Sequence, residues 1–210
     1  MINRLSQVRT ALLSLLPSSV SKKSVDPTHF RSSMSTTSQK PEIATFGAGC
    51  FWGVEHIFLK YYPPSENKGI LKTSVGYTGG TVVNPSYQQV CSGTTGHAEA
   101  VRIEFDPTIV SYGELVEFFY RTHDPTTANR QGFDTGSQYR SVIFTHGPEQ
   151  RVTAERITAE VQEKHFTPKN QRIVTKIREA GEWYDAEDYH QLYLFQNPSG
   201  YQCPTHRLHW

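Results

Sequence analysis

The chain has 210 residues with 21 basic and 20 acidic side chains, a formal charge of +1. That length allows one domain or two small ones, and the charge balance gives no reason to invoke nucleic acid. A mean hydropathy of −0.53, with no apolar run approaching about 18 residues, excludes a membrane-spanning helix; 36% hydrophobic and 12% aromatic residues supply a core and exclude wholesale disorder.

The first 40 residues stand apart. They hold six basic side chains (Arg4, Arg9, Lys22, Lys23, Arg31, Lys40) and one acid, Asp26, a net of +5 that leaves −4 for the other 170. Arginine, serine and a first stretch of 25 residues without acids match a mitochondrial transit peptide. A secretory signal fits poorly, because Ser14 and Pro17 interrupt the apolar stretch. A disordered basic tail is the competing reading. A protein begun at Met34 would keep everything that follows and lose the targeting segment, so the expected location is mitochondrial, cytoplasmic or both. Residues 1–40 are thus read as a targeting or disordered segment, and 41–210 as a single catalytic domain.

Order is expected from Glu42. Ile43 to Phe46 reads as a short buried strand, punctuated by Gly47 and Gly49. Val54, Ile57, Phe58 and Tyr61 then follow helical spacing, with Pro63-Pro64 as the stop. Thr73 to Tyr77 reads as a strand ending at Gly79-Gly80, and Glu99 to Phe105 alternates, with Val101, Ile103 and Phe105 on one face. Ser111-x-x-Glu114 is a capping box that opens a helix carrying Leu115, Phe118, Phe119 and Thr122. The polar stretch His123 to Gln138 is longer than an ordinary connection and is suspected of function. Ser141 to Thr145 is a strand, Pro148 opens a helix with Ala154, Ile157 and Val161, Arg172 to Ile177 is a last strand, and Ala186 to Phe195 a helix. The tail from Asn197 is punctuated by Pro and Gly. This order gives a two-layer α+β domain.

Three cysteines, Cys50, Cys91 and Cys203, are too few and too scattered for a disulfide framework or a paired-cysteine zinc site. They are expected to be reduced. Gly49-Cys50-Phe51-Trp52-Gly53 puts Cys50 in the first turn of a helix, where unpaired N–H groups and the helix dipole favour a thiolate. A buried structural thiol is the alternative. Glu99 shares the parity of Val101, Ile103 and Phe105, so its carboxyl should face the core, with a raised pKa suited to donating a proton. The competing reading is a strand-end charge reaching solvent. Tyr87, Asp134 and Tyr139 offer hydroxyls and a carboxylate on loops. Phe51 and Trp52 are either core or the walls of an apolar pocket.

Taken together, six stretches in order resemble the A-type methionine sulfoxide reductases, the peptide-methionine (S)-S-oxide reductases. They are Gly49 to Gly53, Gly76-Tyr77-Thr78-Gly79-Gly80, Pro85 to Gly93, Thr95-Gly96-His97-Ala98-Glu99, His123-Asp124-Pro125-Thr126, and Asn129 to Ser141. The resemblance spans roughly residues 42 to 203. It implies a ferredoxin-like two-layer sandwich with long functional loops and a mobile C-terminal tail. It also implies reduction of methionine-(S)-sulfoxide, in proteins and free, with no metal or organic cofactor and thioredoxin as external reductant. Carried over residue by residue, it implies Cys50 as nucleophile, Glu99 as proton donor, Tyr87 and Tyr139 as hydrogen-bond donors to the sulfoxide oxygen, and Asp134 as a supporting group. Phe51 and Trp52 would pack on the substrate's methyl group. Many relatives carry two recycling cysteines in the tail and this chain has one, so the resemblance implies a direct Cys50–Cys203 disulfide. Cys91 reads as buried behind Val90 and as a minor candidate for a relay. A monomer with no nucleic-acid or membrane partner is expected.

Other readings use the same residues. A hydrolase or acyltransferase would pair Cys50 with His97 or His123 as base and Asp124 as orienter. His97-Ala98-Glu99 matches the H-x-E of zinc deaminases, but no later P-C-x-x-C supplies the remaining ligands. A redox sensor or methionine-binding module would use the pocket without turnover.

Overall fold

The computed structural model describes residues 40–210. The expected targeting segment and Met34 lie outside the described residues.

Strand β1 (Glu42–Ala48) is followed at once by helix α1 (Phe51–Tyr61), which Pro63 and Pro64 end as expected. Next come β2 (Ile70–Thr78), the short α2 (Tyr87–Cys91), β3 (Ala98–Phe105) and α3 (Tyr112–Arg121). The Ser111–Glu114 capping box at α3 forms in both directions: the serine side chain takes the Glu114 N–H, and the Glu114 carboxylate takes the Ser111 N–H at 2.9 Å. The long polar stretch folds into a two-strand hairpin, β4 (Arg130–Gln131) and β5 (Asp134–Thr135), and a 3-10 turn at Ser137–Tyr139. Strand β6 (Ser141–Thr145), helix α4 (Pro148–Val161), β7 (Lys176–Glu179), β8 (Trp183–Asp185) and the short α5 (Tyr193–Gln196) complete the chain.

The main sheet runs β7-β6-β1-β3-β2-β8, antiparallel at every pairing except β6–β7. Phe46 of β1 packs on Phe58 of α1 (5.6 Å between ring centres) and on Phe119 of α3 (5.1 Å), which ties both helices to the sheet. Val101, Ile103 and Phe105 of β3 and Leu115 of α3 are fully buried in the same cluster. Each such side chain contributes about 1.5–3 kcal/mol by leaving water. A second, smaller cluster, Ala98, Val142 and Phe144, is separate from it. The result is an α+β domain built on one mixed sheet.

Two elements differ from expectation. The strand placed at Arg172–Ile177 begins only at Lys176, because the preceding backbone is bonded elsewhere: Ile173 N–H donates to the Gln162 side chain (2.7 Å) and Val174 N–H to the Pro125 carbonyl (2.8 Å). The helix placed at Ala186–Phe195 is broken into a 3-10 turn at Asp188–His190 and α5. Between them Gln191 acts as a surrogate strand, its side chain accepting from Val75 N–H and donating to Val75 C=O (2.9 Å each). Leu192 then takes a left-handed conformation (φ 53°), its N–H held by Glu55 at 2.8 Å. Tertiary hydrogen bonds outweigh helical propensity there.

Candidate active site

β1 runs into α1 with only Gly49 and Cys50 between them, and Cys50 is the residue that caps α1. Gly49 has φ +96°, and a side chain there would collide with Gln131, so glycine is required on both counts. Cys50 is almost completely buried. Burial, then the neighbouring Glu99 charge, pushes its thiol well above the ordinary cysteine range; hydrogen bonds from the Trp52 and Gly53 N–H groups pull the other way. The helix N-terminus expected to favour the thiolate is therefore present but outweighed in the resting protein.

Glu99 lies on the core face of β3 with only 1% of its surface exposed. Its parity with Val101, Ile103 and Phe105 is as the alternation indicated. Burial raises its pKa to about 8, against the effect of one hydrogen bond, 3.1 Å, from the Phe51 N–H. The carboxyl is thus largely neutral at pH 7. Once it is neutral, the electrostatic penalty it places on a Cys50 thiolate is removed.

Tyr87 opens α2, which is fixed by a Ser86–Gln89 capping box. Tyr139 ends the 3-10 turn that follows the β4–β5 hairpin. Burial first, then neighbouring groups that include Glu99, raises both phenol pKa values well above normal, so both hydroxyls remain protonated donors. Asp134, half-buried at the start of β5, accepts the Tyr201 hydroxyl on both oxygens at 3.1 Å, and burial raises its pKa. The charge of Asp134 acts on both Cys50 and Glu99. These five residues form one electrostatically coupled cluster.

The apolar wall is built on α1. Phe51 packs against Tyr77 (5.9 Å) and His190 (5.1 Å). Trp52 stacks on Tyr193 at 3.8 Å, and its indole N–H donates to His190 Nδ1 at 3.0 Å. Buried Glu55 orients this wall from behind by holding Thr73 and the Leu192 N–H. The histidine, Tyr193 and Tyr201 were not singled out from sequence. Only the sequence adjacency of Tyr201 to Cys203 pointed toward any of them.

Cys203 is 1% exposed, its Sγ 3.4 Å from the Gln131 carbonyl. The side chain of Gln131 packs against Gly49, so the same residue separates the tail cysteine from the Cys50 turn. The tail expected to be mobile is packed in this state. His206 donates to the Ala48 carbonyl (2.8 Å) and rests on Gly53, where no side chain would fit. All three thiols are free. Cys91 corrects the reading from its neighbours: Val90 is buried, but Cys91 is exposed and lies beside the Tyr87 hydroxyl. A five-residue helix turns consecutive side chains to different sides, and the burial of Val90 therefore says nothing about Cys91.

The histidines of the hydrolase reading are occupied elsewhere. His97 accepts the Gly80 N–H and bonds the Val82 carbonyl. His123 bonds the Phe119 carbonyl and the Ser141 hydroxyl, and burial pushes its pKa down to about 3. Asp124 closes a local turn onto Thr126. No base is aligned on Cys50 from these residues.

The peptide methionine sulfoxide reductase family model matches residues 42–208. The chain belongs to that family. It is 56% identical over 169 residues to a probable peptide methionine sulfoxide reductase of Schizosaccharomyces pombe, covering 80% of this chain and 97% of that protein. It is 52% identical over 157 residues to peptide methionine sulfoxide reductase MsrA of Methanothermobacter thermautotrophicus, covering 75% and 88%. Among solved structures it is similar to Saccharomyces cerevisiae Mxr1 in reduced form (TM-score 0.74, 42% identity, 80% of this chain and 92% of that one). It is also similar to Mxr1 in complex with Trx2 (TM-score 0.54, 30% identity, 80% and 90%). Family membership makes the chain an oxidoreductase of the sulfoxide-reducing class.

Proposed function

We propose that this protein reduces methionine-(S)-sulfoxide, in polypeptides and free, to methionine by a thiol cycle centred on Cys50. The observation that carries this reading is the pairing of a buried cysteine at a helix start with a buried carboxyl of raised pKa, whose one hydrogen bond comes from the residue following that cysteine.

The chemistry follows from those residues. A sulfoxide oxygen leaves poorly until it is protonated. Neutral Glu99 supplies the proton, and the Tyr87 and Tyr139 hydroxyls hold the oxygen by hydrogen bonds. The Cys50 proton passes to the carboxylate that Glu99 has become, restoring it as an acid, while the Trp52 and Gly53 N–H groups favour the attacking sulfur. The substrate sulfur gains two electrons and departs as methionine, while Cys50 takes the oxygen as a sulfenic acid. The Cys203 thiol then condenses with that sulfenic acid, giving a Cys50–Cys203 disulfide and one water. A thioredoxin dithiol returns both cysteines to thiols and becomes a disulfide itself. That the related Mxr1 has been solved in complex with Trx2 supports this choice of reductant. Asp134 steadies the site, and Phe51 and Trp52 receive the methyl group. No metal or organic cofactor enters the cycle.

The β1-α1-β2-β3-α3-β6 connectivity, with β6-β1-β3-β2 as the central strands, supports assigning the core to the ferredoxin-like sandwich. The reading further takes the protein as a monomer and residues 1–40 as a targeting segment, on the +5 charge of that stretch. A reporter fused to residues 1–40 should enter mitochondria, and a diffuse reporter would contradict that assignment.

The direct test of the catalytic assignment is Cys50→Ser with dithiothreitol and methionine sulfoxide. Turnover should disappear, because a serine hydroxyl near its normal pKa is no useful nucleophile toward sulfur. Retained turnover would remove Cys50 from the mechanism.

A further inference from the structure

Glu187 lies between β8 and the turn at Asp188–His190, 100 and 110 residues from its two hydrogen-bond donors Tyr87 and Tyr77. One carboxylate oxygen accepts the Tyr87 backbone N–H at 3.0 Å, and the other accepts the Tyr77 hydroxyl at 2.8 Å. The second oxygen also lies 3.9 Å from His190 Nε2. Trp52 donates to Nδ1 of that histidine, so Nε2 carries the proton, and this buried N–H has no other partner among the described residues. Tyr77 and His190 both pack on Phe51, and the Tyr87 ring packs on His190 at 4.5 Å. One carboxylate therefore touches the first residue of α2, which carries Tyr87, and both rings that back the apolar wall.

Resting on the sulfoxide-reductase reading above, we propose that Glu187 is a positioning residue for sulfoxide reduction. By holding the Tyr87 N–H, the Tyr77 hydroxyl and the His190 edge together, it fixes the Tyr87 hydroxyl over the place where the sulfoxide oxygen sits. Glu187 has no contact with the reacting atoms and acts through Tyr87. Its ionisation fits the role: burial works against the charge, but the Tyr87 N–H, its own backbone N–H and the Tyr77 hydroxyl outweigh that, and its pKa is lowered. Two carboxyl groups near Tyr87 are thus kept in opposite states, Glu99 neutral to give a proton and Glu187 charged to hold donors. A small misplacement of an oxygen-binding group lowers the rate of the chemical step more than it weakens binding.

The experiment measures kcat and KM for free methionine sulfoxide with dithiothreitol, for Glu187→Ala, Glu187→Asp and Glu187→Gln, each alone and combined with Tyr87→Phe. Wild-type turnover is required first; its absence would refute the sulfoxide-reductase reading and not the role of Glu187. Glu187→Ala and the too-short Glu187→Asp should each lower kcat by between about tenfold and a hundredfold with KM within about threefold. Glu187→Gln should stay within about threefold of wild type, because its carbonyl accepts the Tyr87 N–H and its amide can donate to Tyr77. In the Tyr87→Phe background the Glu187 substitutions should cost less than about twofold, since the group they position is gone. Should Glu187→Ala fail to fold, the Asp and Gln variants carry the same comparison. An unchanged kcat in Glu187→Asp, or an equal penalty with and without the Tyr87 hydroxyl, overturns the proposal.

Discussion

Among the described residues Glu99 has one hydrogen bond and no cation beside it, and that poverty of partners keeps its proton on near neutral pH. A carboxyl with a pKa of about 8 is a competent acid at pH 7 and is lost as an acid as pH rises through 8. The single-turnover rate of methionine release should therefore fall above about pH 8 in the wild type. Glu99→Gln should be slower by about 10²–10⁴-fold, the usual cost of losing a general acid, and its rate should lack that descending limb. Stopped-flow measurement of sulfenic acid formation between pH 6 and 9.5 checks both statements. A wild-type rate in Glu99→Gln would mean a structural carboxyl had been mistaken for a catalytic one. At this scale the sequence was legible where a residue's role follows from its immediate neighbours. Glu99 was readable from strand parity and Cys50 from glycines before a helix. Glu187 was not, because its two partners lie 100 and 110 residues away. Cys91 was misread because one buried neighbour was taken to describe a helix side that it does not share.

The C-terminal tail and the β4–β5 hairpin are the elements on which recycling turns. Gln131 on the hairpin lies between Gly49 and Cys203, while His206 bonds the carbonyl two residues before Cys50, so the tail is already seated beside the nucleophile's turn. Both thiols are free here, and a Cys50–Cys203 bond requires Gln131 to give way between them. Cys203→Ser should still complete one round, with Cys50 and Glu99 untouched, and then stall as the Cys50 sulfenic acid. It should lose turnover with thioredoxin and keep some with a small thiol. Cys91→Ser should turn over with thioredoxin nearly as the wild type does, because the Cys91 thiol, though exposed, has its pKa raised by partial desolvation against the Tyr87 hydrogen bond and so carries little thiolate. A Cys50–Cys91 bond on peptide mapping, or loss of thioredoxin turnover in Cys91→Ser, would place Cys91 on the path. The regular elements were readable because their hydrophobic periods agree with their surroundings, as in β3 and α3. The segment from Ala186 to Phe195 was not. There the side chains of Gln191 and Glu55 supply hydrogen bonds from other elements and divide what local propensity would have made one helix.

For the whole domain, the buried ionisable groups set how stability varies with pH. Burial lowers the pKa of His123 to about 3 and of His206 to about 4, so both stay neutral in the fold while the unfolded chain takes up protons below about 6.5. Their contribution is present above that value and is lost as pH falls toward 4. Glu99 acts in the opposite sense. Its folded pKa is raised, so its contribution is present below about 4.5 and is lost as pH rises toward 8. Thermal melts should therefore show the midpoint falling on acidification from pH 7 to 5, and Glu99→Gln should melt higher than the wild type at pH 8. An equal melting temperature for the two at pH 8 would mean that Glu99 ionises freely in the fold.

The central claim is that Cys50 takes the oxygen of a methionine sulfoxide. Its most direct test is to mix the protein with one equivalent of methionine-(S)-sulfoxide in the absence of any reductant, quantify methionine, and map the cysteines by mass spectrometry. The account predicts one methionine per chain, a Cys50–Cys203 disulfide in the wild type and a Cys50 sulfenic acid in Cys203→Ser. No methionine, or methionine released while Cys50 remains a free thiol, would contradict it.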